Sequence, residues 1–261
     1  VDGTVDPTSP YVEGIHATNT TGNVANSGSI DAFASDEDAI VYGIRSSITG
    51  GDIRNSGTIE ADAEAEAYAY SYGIRGTDMV GDIVNSGDIE ATANSIDNAY
   101  AYGIMGRETL GSILNSGSIL AEAEAHNTYA AGIDARDTGG DIINSGDIRA
   151  YARSMISGAY GLNIDGAGGD VVNSGDIFAY AESDVSTSAW GIFADDVAGS
   201  ILNSGSIIAE TNSLATATAW GIHAQGTGGD IVNDELIEAD AEGDSAQVEG
   251  IYAAETGGDV R

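Results

Sequence analysis

The chain has 261 residues, with 42 acidic side chains against 8 basic ones, a formal net charge of −34 and no cysteine. That charge argues against DNA, RNA and anionic membranes as partners, since each would be repelled. Without cysteine there are no disulfides or thiolate metal sites, and no apolar run is long enough for membrane insertion as a helix.

In chain order, residues 1–13 carry Pro7 and Pro10 and read as an atypical, shortened first coil. From Gly14 onward two marks alternate. Gly-Ile, once Gly-Leu, begins at Gly14, Gly43, Gly73, Gly103, Gly132, Gly161, Gly191, Gly221 and Gly250. Asn-Ser-Gly begins at Asn26, Asn55, Asn85, Asn115, Asn144, Asn173 and Asn203, with a degenerate copy at Asn233. From Gly to the following Asn the distance is always 12 residues; from Asn to the next Gly it is 17 or 18. The unit therefore has one part of fixed geometry, with a one-residue slack in a bulge or turn of the other.

Each unit contains three short strand-like pieces. Asp82-Ile83-Val84 typifies the first, Ile59-Glu60-Ala61-Asp62-Ala63 the second and Ala99-Tyr100-Ala101-Tyr102 the third. The second alternates with period two, which predicts a strand. Helix is the competing reading, because Ala and Glu favour it, but recurring glycine and the absence of a sustained 3.6-residue period defeat it. Three strands in 29–30 residues make one coil of a parallel β-helix, or β-solenoid, and the whole chain reads as one such domain of about nine coils. At about 4.8 Å per coil the rod would be roughly 43 Å long.

Stacking turns like positions into columns. Ile30, Ile59, Ile89, Ile119, Ile148, Ile177, Ile207 and Ile237 form an inward aliphatic stack, followed by inward alanines. Small inward residues predict a narrow lumen filled by methyl groups. The asparagines share this parity and are expected to bond to one another along the axis. The glycine two residues later is expected to permit a tight corner.

Two kinds of surface column could carry function. Three residues before Asn stand Asp52, Asp82, Asp141, Asp170, Asp230 and Asp259, interrupted by Ser112 and Ser200. Paired carboxylates with nearby carbonyls suit Ca2+; the competing role is to accept N–H groups of their glycine-rich turns. On the opposite charge balance, Arg153 shares a column with Glu124 and Glu182 and should lie between them. The second kind is apolar. Val84, Leu114, Ile143, Val172, Leu202 and Val232 precede Asn, and Leu120, Phe178, Ile208, Tyr151 and Tyr180 lie on the next strand. Strand parity places the first set outside, as a surface for lateral packing or for a ligand such as a cell-surface glycan. Tyr42, Tyr72, Tyr102, Tyr160, Trp190 and Trp220 precede Gly-Ile; they are either an outer sugar-stacking platform or, if a bulge turns them, core. Catalysis has no foothold: His16, His126 and His223 are scattered, and no nucleophile elbow, phosphate loop or zinc-protease motif occurs. The chain reads as a non-enzyme.

The run Gly81-Asp82-Ile83-Val84-Asn85-Ser86-Gly87-Asp88-Ile89-Glu90-Ala91 resembles the repeats of autotransporter-type and filamentous-haemagglutinin-type bacterial surface proteins. The resemblance covers nearly the whole chain and implies a secreted, cell-surface or extracellular β-solenoid.

The two ends complete one another. Read tail to head, Gly257-Gly258-Asp259-Val260-Arg261 followed by Val1-Asp2-Gly3-Thr4-Val5-Asp6 parallels the internal stretch from Gly50 to Glu60. An axial contact through Val1, Asp2, Gly3, Thr4 and Val5 with Asp259, Val260 and Arg261 would stack copies head to tail into a filament. The alternative is a monomeric adhesin stalk or glycan-binding rod, on its own or as part of a longer secreted chain.

Overall fold

A computed structural model describes residues 10–261, so Val1, Asp2, Gly3, Thr4 and Val5 of the expected axial contact lie outside the described residues. The described chain is an all-β parallel solenoid of about eight turns without helices. One wall is an eight-stranded sheet of three-residue strands, from Val24–Asn26 to Ile231–Asn233. The remaining walls belong to one thirteen-stranded sheet. The expected second and third strands fuse in some coils, as in Thr58–Met79, and separate in others, as in Asp88–Ser95 and Asn98–Thr109.

Every neighbouring pair of strands is parallel and pairs like with like. Ile119 lies between Ile89 and Ile148, and Ala121 between Ala91 and Ala150. The one-residue slack is absorbed where the ladder shifts register, between Asp36 and Asp38 and again between Ser154 and Ile156.

The lumen is dry and narrow. The alanines and isoleucines of the central coils form one continuous core and are essentially inaccessible. Its tightest point explains the fixed spacing. A Cβ added to Gly103 would lie 2.2 Å from Ile119 Cγ2 across the lumen and 2.6 Å from the carbonyl oxygen of Gly132 on the next coil. The same contact recurs from Gly14 against Ile30 to Gly221 against Ile237. Two walls touch there, so the chain length that joins them cannot vary.

The asparagine ladder runs the length of the described rod. Asn85 Nδ2 donates to Asn115 Oδ1 at 2.7 Å, Asn115 to Asn144 at 2.8 Å and Asn144 to Asn173 at 2.8 Å. From Asn26 to Asn203 each amide also donates to the glycine carbonyl two residues on, as Asn144 does to Gly146 at 2.8 Å. These seven side chains are buried, and every such bond keeps a polar group satisfied inside an apolar lumen. The Asn-Ser-Gly glycines are required for a reason other than corner geometry. A Cβ on Gly117 would meet the Gly87 carbonyl oxygen at 1.9 Å, so adjacent coils could not stack.

Each coil also has one residue at positive φ, seven places before the asparagine column: Asn19, Ile48, Asp78, Glu108, Asp137, Gly166, Asp196, Gly226 and Glu255. Ile48, at φ 55°, is the one β-branched residue in this column and bears the largest steric cost there.

Glycine's role at the lumen contact can be tested within a single column. Gly103→Ala should lower the urea midpoint by the equivalent of at least about 2 kcal/mol, the scale of overpacking. Gly250→Ala should leave it nearly unchanged, because nothing lies within 4 Å of the added methyl.

Candidate functional site

The aspartate column is an acceptor for the backbone of the next coil. Asp52 Oδ1 accepts the N–H of Asp82 at 3.0 Å, Asp82 that of Ser112 at 2.8 Å, and Asp141 that of Asp170 at 2.8 Å. Asp170 serves Ser200 at 2.7 Å, and Asp230 serves Asp259 at 2.9 Å. The serines do the same: Ser112 Oγ accepts the N–H of Asp141 at 3.0 Å. Of the two roles expected for Asp52, Asp82, Asp141, Asp170, Asp230 and Asp259, accepting main-chain N–H groups is the one these bonds show. One oxygen of each carboxylate with a following coil is committed to the main chain, and no group of three or more His, Asp or Glu is placed to hold a metal ion among the described residues. The Asp82 N–H, with Arg54 beside it, holds the Asp52 carboxyl below its usual range.

The aliphatic column stands outside, as parity requires. Val84, Leu114, Ile143, Val172, Leu202 and Val232 are half-buried on the outer face of the short-stranded sheet, with Arg54 on one end of their column and Arg261 on the other. Leu120, Phe178 and Ile208 are half-buried on the next face, and Phe178 and Ile208 line a shallow hollow of about 290 Å³ with Arg149 and Tyr151. Arg153 is in register between Glu124 and Glu182, as expected, but its guanidinium pairs diagonally with Glu122 at 2.9 Å.

The tyrosine column departs from a simple alternation. Gly43 and Ile44 both turn toward the lumen, so the wall is dented inward, and the residues flanking the dent lean over it. Tyr42, Tyr72 and Tyr102 are buried there in a cluster separate from the main core. Their rings stack on one another, Tyr42 on Tyr72 at 4.8 Å and Tyr72 on Tyr102 at 5.0 Å, with nearly parallel planes. Burial pushes the Tyr72 phenol up to about 12. A sugar-stacking platform needs free ring faces, and here each face is covered by the next ring. Further along, Trp190, Phe193, Trp220, His223 and Tyr252 continue the groove, with Trp220 and His223 4.3 Å apart across the dent.

Arginines accompany this groove, which sequence reasoning missed. Arg45 lies over Tyr42 at 5.3 Å and Arg75 over Tyr72 at 5.4 Å, within cation–π range. Arg107 and Arg136 follow on the next two coils, two residues further along the strand. The signal was present: arginine recurs two or four places after the Gly mark in four successive coils. Asp134 is fully buried at the groove's centre. It accepts two bonds from Arg136 at 2.9 and 3.1 Å, one from Tyr129 at 2.9 Å and one from Asn163 at 3.0 Å.

The last described coil has no further described coil over its core. Val248 is 47% exposed and Val260 48%, whereas Ala219 and Ile231, one coil earlier in the same columns, are inaccessible. Ile237, Ala239 and Ala241 are likewise only half-buried. Asp259, Val260 and Arg261 begin the next short strand: Ile231 donates to Asp259 O at 2.9 Å, Arg261 N to Ile231 O at 3.0 Å, and Asn233 N to Arg261 O at 2.9 Å.

Comparison with protein-family models, with curated proteins and with solved structures finds no match for this chain. The parallel solenoid itself is what these observations establish.

Two outcomes follow from the buried charges. Arg136→Gln should cost about 3 kcal/mol in urea unfolding, because Asp134 would remain buried without its cation; adding Asp134→Asn should recover part of that loss. Asp62, desolvated and ringed by Glu64, Glu60, Glu90 and Asp31, is raised to about 6. A carboxyl raised on folding favours the native state at low pH, and that contribution is lost as pH climbs from about 4 to about 6. Asp62→Asn should therefore raise Tm at pH 7.5, with the gain vanishing toward pH 4.

Proposed function

We propose that the chain is a structural, non-catalytic fibre element of the cell surface or extracellular space, extended along its axis by coil-on-coil stacking with further copies. The observation that carries this reading is the like-on-like stacking of parallel coils, in which isoleucine, alanine and asparagine columns continue unbroken from one coil to the next. A coil edge of this kind pairs readily with another strand. A contact between unlike ends repeats without closing and gives open filaments. The acidic exterior supports the same reading, since it keeps rods soluble and repels nucleic acid and anionic lipid.

A monomeric stalk or glycan-binding rod is the second reading. The hollow beside Arg149, Tyr151 and Phe178 favours it, because it combines a cation with partly exposed aromatic rings.

Negative-stain microscopy separates the two. Fibres much longer than one rod are expected from the wild-type chain. Ala239→Lys places a charge in the open end of the lumen, where the side chain can still reach water, and should leave folded rods that do not elongate. Single rods from the wild type, or unchanged fibres from Ala239→Lys, would overturn the axial model.

A further inference from the structure

We propose that Arg45, Arg75, Arg107 and Arg136 form a docking strip for the carboxylate column Asp31, Glu60 and Glu90 of a second copy of this chain. This rests on the fibre reading and adds to it a lateral contact between rods.

The distribution of charge is the starting point. Against 42 acidic residues the chain has eight arginines, and four of them line one groove on four successive coils. Arg45 pairs in register with Arg75, and Arg107 with Arg136; Thr77, two residues after Arg75, is the register partner of Arg107. The strip is therefore one guanidinium per coil, stepping sideways once.

Its members are not equally satisfied. Arg45 is paired with Glu13 at 3.0 Å and Arg136 with Asp134 at 2.9 Å. Between them, Arg75 and Arg107 have no ion-pair partner among the described residues. Arg75 donates to the Tyr42 hydroxyl at 3.0 Å, and the Nε of both Arg75 and Arg107 is buried without an acceptor. In a chain so rich in acids, two adjacent cations left without a carboxylate mark a place built for one from outside. A guanidinium held against a ring, with donors free, suits bidentate capture of a carboxylate.

The complementary surface is on the same coils but another face. Asp31, Glu60 and Glu90 are exposed, stand in register on three successive rungs and have no ion-pair partner among the described residues. Like charges directly opposed across strands are destabilising, and the same field contributes to holding Asp62 protonated to unusually high pH. A row of cations relieves that repulsion. Along the axis, strip and column share the inter-strand spacing of about 4.8 Å, while Arg107 is displaced by two residues along the strand relative to Arg75 and Glu60 stands directly opposite Glu90. Two rods side by side can therefore bring Arg75 and Arg107 to Glu60 and Glu90 on successive rungs, with the long arginine side chains facing the column diagonally. The two surfaces differ, so the contact is heterologous and propagates sideways into sheets or bundles.

Fibre width in negative stain at 20 mM and 500 mM salt reads this contact, while fibre length reads the axial one. Wild-type fibres should be several rods wide at low salt and narrower at high salt. Arg75→Glu/Arg107→Glu and, separately, Glu60→Arg/Glu90→Arg should each give single-rod width without shortening. The fourfold exchange should restore the bundles. Sedimentation of Ala239→Lys rods asks the same question with elongation blocked: lateral oligomers should form at low salt and disappear with Arg75→Gln/Arg107→Gln. Far-UV circular dichroism and urea midpoints confirm that the variants fold. Width indifferent to Arg75→Glu/Arg107→Glu, or a fourfold variant that stays single, would overturn the proposal. So would wild-type rods that never associate while soluble polyglutamate binds the strip.

Discussion

The contact on which the shape of this molecule depends is between the Gly-Ile mark and the isoleucine four places after asparagine. At that point the two walls of the solenoid meet with no room for a single methyl group. The contact fixes the number of residues between the marks, sets the thickness of the lumen and pulls the wall inward. Because the wall is dented, the side chains on either side converge instead of splaying. The aromatic groove, its stacked tyrosines and its arginines all exist because glycine occupies that column.

Much of this was readable in the sequence. Strict recurrence of Asn26 through Asn233, and of Ile30 through Ile237, was enough to place both in the lumen and to expect amides bonded along the axis. What escaped was the phase of the chain past a corner. Alternation holds from Ile59 to Ala63, but Gly43 and Ile44 both face inward, so counting by twos leaves Tyr42 outside, and its burial matches the other alternative, in which an irregularity of the wall covers it. Arg153 illustrates a second limit. Register gave its neighbours Glu124 and Glu182, yet a long side chain reaches diagonally, and Glu122 receives it. The arginine groove required knowing that positions two and four after glycine lean over the dent, which no linear pattern states.

Charge is handled locally along this rod. The aspartate column needs an acceptor at each rung and not a negative charge, since Ser112 and Ser200 perform the same service as Asp82 and Asp170. Replacing every third or so carboxylate with a hydroxyl keeps the main-chain bond and removes a like-charge neighbour. The Asp31, Glu60 and Glu90 column has no such relief, and that contrast distinguishes a surface tuned for the molecule's own stability from one left in tension.

The asparagine ladder also has a sense. Every Nδ2 from Asn26 to Asn203 donates to the amide oxygen of the following coil, never the reverse. The side-chain dipoles consequently add instead of cancelling, and the rod is a vectorial object. A further coil can extend that array in only one orientation, so the amide column acts as a built-in arrow along the solenoid axis.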